Sequence, residues 1–152
     1  MLLAYHLHNL DPIIVQFSEG FAIRWYGLAY VLGFVAAYLL MTWLAKRDYG
    51  QLKPDETSDF ITLAALLGVM LGGRLGYVLL YALPEGQLQE DPLMFIKIWK
   101  GGMASHGGIL GLVAFTFFYA RHKKYNWAGV GDNLVSVAPL GIFFGRMANF
   151  IN

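Results

Sequence analysis

The stretch WYGLAYVLGFVAAYLLMTWL, residues 25–44, decides the fold. Its 20 residues carry no charge, and a helix of that length rises about 30 Å, the hydrocarbon thickness of a bilayer. A transmembrane helix is therefore predicted here. Three further apolar stretches follow at residues 60–83, interrupted by Arg74, at 107–120 and at 133–144. Composition agrees, because the 152 residues are 57% hydrophobic and 14% charged, whereas a water-soluble domain carries about a quarter charged residues. The predicted class is all-α: a polytopic transmembrane helical bundle of about four spans, forming one membrane domain over residues 1–152.

A formal net charge of +1 leaves no basic field of the kind nucleic acid requires. The chain has no cysteine, which removes disulfides, thiolate metal sites, a thiol nucleophile and lipidation of the chain's own cysteine. No phosphate-binding loop, nucleophile elbow or zinc-protease motif occurs, and His6 and His8 beside Asp11 lack metal-ligand spacing. Neither a metal nor a cofactor is expected. The first 24 residues include Asp11, Pro12, Glu19 and Gly20 without a basic n-region, so a cleavable signal peptide is not expected either.

Basic residues set the predicted direction. Lys46, Arg47 and Lys53 lie between the first two stretches and Arg121, Lys123 and Lys124 between the last two, while the loop after the second sets Lys97 and Lys100 against Glu85, Glu90 and Asp91. By the positive-inside rule the first and third connections are cytoplasmic, and the N-terminus and the loop over residues 84–106 are outside. Within that loop, DPLMFIKIWK (91–100) reads equally well as a segment along the outer interface or as a plain connection.

With direction assigned, five polar residues fall in the outer half: Tyr26, Arg74, His106, Arg146 and Asn149. An arginine at the centre of a spanning helix costs roughly 2.5–3.5 kcal/mol on insertion scales, so it normally faces protein or a wet cavity. Two at similar depth suggest an anion. Arg74 reads as a ligand-binding residue or, equally, as one held by tertiary contacts, on a stripe with Met70, Tyr77 and Tyr81. Ala64, Gly68, Gly72 and Gly76 form a separate ridge at four-residue spacing, read as ordinary close helix packing. His106 stands among four glycines in GGMASHGG (101–108); an imidazole there can serve as a base near neutral pH or simply bond a loop carbonyl. Tyr26 shares a stripe with Tyr30, Gly33 and Ala37 but also suits an aromatic belt. Arg146 and Asn149, on one helical face in GRMANFIN (145–152), suit the several acceptor oxygens of a phosphate or, more plainly, end a helix. The halt directly after this cluster leads us to expect a C-terminal truncation.

RWYGLAYVLGF (24–34), GGRLGYVLLY (72–81), GGMASHGG (101–108) and GRMANFIN (145–152), in that order, resemble the bacterial prolipoprotein diacylglyceryl transferases. The last of them resembles the opening of the family's signature, whose Glu and later Gly fall beyond Asn152. The resemblance implies transfer of the diacylglyceryl group from phosphatidylglycerol to the lipobox cysteine thiol of a prolipoprotein, the first step of lipoprotein maturation. It places this chemistry at the outer side of the inner membrane, with the bilayer, phosphatidylglycerol and the prolipoprotein as partners. It implies functional roles for Tyr26, His106, Arg146, Asn149 and Asn152, with Arg146 contacting phosphatidylglycerol and Arg74 in a recurrent stretch. His106 and Arg146 are the expected catalytic pair; Tyr26, Arg74, Arg146, Asn149 and Asn152 are the expected substrate contacts. From the residues alone, an anion transporter or channel subunit, or a non-catalytic phosphatidylglycerol-binding scaffold, are the alternatives.

Overall fold

The computed structural model describes residues 11–18, 21–97 and 101–151. His6, His8 and Asn152 lie outside the described residues. The chain opens with an antiparallel pair, β1 (Ile13–Ser18) and β2 (Phe21–Arg24), in register Ile13↔Arg24, Val15↔Ile23 and Gln16↔Ala22. The sequence reading did not anticipate this hairpin. Its signal is the alternation of apolar and polar residues through Val15, Gln16, Phe17 and Ser18, short enough to be hidden by the longer apolar run behind it.

The first long helix, α1, spans Trp25–Ala45 and is tied to the hairpin where the Trp25 backbone N–H donates to the Pro12 carbonyl at 3.1 Å. It ends as Asp48 and Gly50 turn to positive φ. Helix α2, Pro54–Ala82, starts with a 3-10 turn whose proline needs no partner for its missing N–H. It widens to π-type turns over Ala64–Leu71 and Val78–Ala82, on either side of an α-helical Gly72–Tyr77. A short α3 (Gln87–Glu90) and a 3-10 turn (Pro92–Phe95) lead to α4 (Ser105–Lys123) and α5 (Trp127–Ile151). Arg121, His122 and Lys123 close α4, where cations complement the helix dipole.

Among the described residues three helices, α1, α2 and α5, are long and apolar enough to cross a membrane. The expected third span also forms a helix, but α4 begins Ser-His-Gly-Gly and ends in three basic residues, so its apolar part is shorter than a full crossing.

The described chain falls into two compact units, one holding the hairpin, α1 up to Leu40 and α5 from Ser136, the other running Met41–Val135. In the second unit the glycine ridge of α2 lies on α4. A Cβ on Gly72 would stand 2.7 Å from the Gly107 carbonyl, and one on Gly111 would stand 2.2 Å from the Gly68 carbonyl. Only residues without side chains permit that approach. Phe60 fills the far part of the same interface, with its ring 5.4 Å from Phe115 and 4.9 Å from Tyr119. In the first unit, Gly33 of α1 meets Gly141 and Phe144 of α5, and Trp25 and Ile151 line one cavity. These two helix segments are therefore antiparallel, with Tyr26 and Arg146 at the same end.

Candidate functional site

Arg74 is 2% exposed. Its Nε–H donates to the Phe95 carbonyl at 3.2 Å, Nη1 to the carbonyls of Gly101 and, at 2.8 Å, Gly102, and Nη2 to those of Met94 and, at 3.2 Å, Lys97. A guanidinium has five N–H groups, and all five are used. The buried cation is solvated by carbonyl dipoles in place of water, which is how such a charge is tolerated there. Tyr77 completes the surroundings, its ring centroid 5.5 Å from the guanidinium carbon and stacked on Tyr81 at 5.8 Å. The Arg74, Tyr77 and Tyr81 stripe thus exists as spaced in the sequence. What it faces is backbone, and no N–H is left over for an anion.

His106 is exposed in the first turn of α4. The approach to it is fastened at several points: the Ala104 N–H donates to the Gly73 carbonyl at 2.9 Å, and Gly107 abuts Gly76 so closely that a Cβ on either would fall 2.6–2.7 Å from the other's Cα. Gly101 and Gly102, with φ of +81° and +82°, turn their carbonyls to Arg74. Position 102 in particular admits no side chain, since a Cβ there would stand 2.6 Å from the Tyr77 ring. The imidazole therefore projects from a backbone held on both sides.

In the other unit, Tyr26 and Tyr30 pair through their hydroxyls at 3.1 Å, with ring centroids 5.0 Å apart. Arg146 and Asn149 are both exposed, three residues apart on α5 and hence on one face. Among the described residues neither side chain takes part in a hydrogen bond or ion pair. The two arginines thus differ in kind: Arg74 is committed, and Arg146 has its donors available.

A second polar cluster, which the sequence reading missed, lies at the other end of α4, about 26 Å along its axis from His106 by helical rise. Glu56 accepts from Lys123 Nζ at 2.8 Å, from the Tyr125 hydroxyl at 2.8 Å and from the Lys53 N–H at 3.2 Å. The Glu56 hydrogen bond raises the Lys123 ammonium above its ordinary value of 10.5, and the same carboxylate, helped by burial, raises the Tyr125 phenol above 10.0. Asn133, buried nearby, accepts from the Gln51 N–H at 2.8 Å and donates to the Tyr49 carbonyl at 3.4 Å. Separations of 67 to 84 residues hid the contacts of Lys123, Tyr125 and Asn133 from any local pattern, whereas the Lys53 N–H lies only three residues from Glu56.

Residues 12–152 match the sequence profile of the family described as prolipoprotein diacylglyceryl transferase. The chain belongs to the prolipoprotein diacylglyceryl transferase family. It is 47% identical to the phosphatidylglycerol–prolipoprotein diacylglyceryl transferase of Bdellovibrio bacteriovorus over 150 residues, 96% of this chain and 42% of that protein. It is 41% identical to the one from Rhodospirillum rubrum over 152 residues, 100% of this chain and 54% of that protein. A third, from Marinomonas sp., is 43% identical over 94% of this chain and 52% of its own length. The chain thus spans about half the length of these curated transferases. This family member carries apolar helices long enough for a membrane, as expected for a bundle that works in lipid.

Proposed function

We propose that this chain supplies part of a transferase that moves the diacylglyceryl group of phosphatidylglycerol onto the lipobox cysteine thiol of a prolipoprotein. In the proposed reaction a carbon–sulfur bond forms at the glyceryl carbon as the carbon–oxygen bond to phosphate breaks, and glycerol phosphate leaves. A free thiol, with pKa about 8.5, is only a few per cent ionised at neutral pH. His106 accepts its proton. Arg146, with donors uncommitted, meets the phosphate oxygens and stabilises the charge that grows on them as the bond breaks. Asn149 on the same face, Tyr26 at the same end of its unit, and Asn152 complete the substrate contacts. The site faces the outer side of the bacterial inner membrane, where a prolipoprotein presents its lipobox. The observation that carries this reading is the uncommitted Arg146–Asn149 face in a chain that matches the transferase family over residues 12–152.

The whole reading frame that encodes this chain, expressed in membranes depleted of their own transferase, tests it. A prolipoprotein incubated with phosphatidylglycerol is expected to shift in mobility. Arg146→Ala is expected to lower turnover about 100-fold or more, the usual cost of losing one preorganised charge-stabilising donor. His106→Gln is expected to slow transfer between pH 6 and 8; an unchanged rate across that range rules out the base. Binding of phosphatidylglycerol without any shift would mark a scaffold instead.

A further inference from the structure

We propose that Arg74 is a positioning residue, a clamp through which α2 holds two backbone segments, 94–97 and 101–102, and so fixes where α4 starts and where His106 projects. The consequence for catalysis rests on the transferase reading; the clamp itself does not.

The geometry points to this role for three reasons. First, the donor count closes: five N–H groups meet five carbonyls, three from residues 94–97 and two from Gly101 and Gly102. A single planar cation thereby joins two segments that are separate in the sequence. Second, the acceptors are shaped for it. Gly101 and Gly102 hold positive φ, and a Cβ on Gly102 would lie 2.8 Å from Arg74 Nη1 as well as against Tyr77. Third, the held segment leads directly into the catalytic helix. Two residues after Gly102 the Ala104 N–H bonds the Gly73 carbonyl, next to Arg74 on α2, and His106 follows two residues later.

Lysine cannot replace this fork. Its ammonium presents three donors from one point, without the planar spread needed to reach five separated acceptors. Direct binding of the lipid phosphate by Arg74 would require breaking bonds it already makes at 2% exposure. The two roles therefore differ in what they predict.

The test uses the whole protein with a nitroxide on a cysteine replacing Ile96, whose side chain is 62% exposed, any cysteine outside these 152 residues having been changed to serine. In Arg74→Lys the label is expected to become more mobile. Turnover is expected to fall at least 10-fold, with KM for phosphatidylglycerol unchanged within twofold. Combined with His106→Gln, Arg74→Lys is expected to cost little more than His106→Gln alone, because both act through one imidazole. Gly102→Ala reaches the same clamp with Arg74 intact and is expected to reproduce the mobility and turnover changes; it decides the matter if Arg74→Lys does not fold. A KM raised 10-fold or more with an immobile label would make Arg74 a lipid ligand and overturn the proposal. So would an immobile label with unchanged turnover. If the unsubstituted protein transfers nothing, the transferase reading fails, and label mobility still decides the clamp.

Discussion

At the scale of single residues, chemistry of one type serves opposite ends. Arg74 and Arg146 are the same side chain at comparable places in apolar helices, yet one spends every donor on backbone and the other spends none among the described residues. Residue type records the donors and not the acceptors. The cluster around Glu56 gives a residue-scale prediction. Lys123 and Tyr125 both hold their protons more firmly in the folded chain than their ordinary values of 10.5 and 10.0 imply. A raised pKa contributes stability that is fully present below the unfolded value and is lost as pH rises through the folded one. The melting temperature in detergent is therefore expected to be flat to about pH 9.5 and to fall above pH 10. Tyr125→Phe is expected to melt lower at neutral pH and to show a shallower alkaline fall. An identical profile for the two proteins would mean that the Tyr125 hydrogen bond does not contribute.

At the scale of elements, glycine decides which helices can touch. The ridge Ala64, Gly68, Gly72 and Gly76 was legible from its spacing, and the packing it implied is the contact that seats α4 on α2. The partner glycines, Gly107 and Gly111, were visible in the sequence too, but their pairing with Gly68, Gly72 and Gly76 depends on helix register. The π-type turns bear on that register, because they change the angular step along α2 from the 100° of an α-helix. Gly111→Ala places a methyl 2.2 Å from the Gly68 carbonyl and is expected to destabilise by about 1–3 kcal/mol, the usual cost of overpacking. Gly131→Ala, in open space on α5, is expected to be neutral or to stabilise by up to about 1 kcal/mol, because alanine favours the helix. Thermal unfolding of the two variants side by side checks the contrast. Equal melting temperatures would show that the α2–α4 contact yields easily.

At the scale of the whole molecule, the distribution of basic residues predicts a direction in the membrane. A reporter fused after Lys53 is expected to read cytoplasmic and one after Glu90 to read external, by the positive-inside rule. A cytoplasmic signal at Glu90 would move His106 to the wrong side for a prolipoprotein substrate and would count against the proposed site. By itself the sequence determined the solvent, because long uncharged runs can cover their backbone polar groups in lipid only as helices. It also determined the family, because the four motifs occur in order, and it singled out Arg74, His106 and Arg146 as residues out of place in a purely apolar bundle. Tertiary structure alone decided how Arg74 is used, that Asn133 meets Gln51 and Tyr49, and that Glu56 joins Lys123 and Tyr125. The physical reason is common to all three. Hydrophobicity and side-chain type are local properties written at each position, whereas hydrogen-bond partners, backbone carbonyls above all, are alike at every position until the chain folds and brings particular ones within 3 Å or so of a donor.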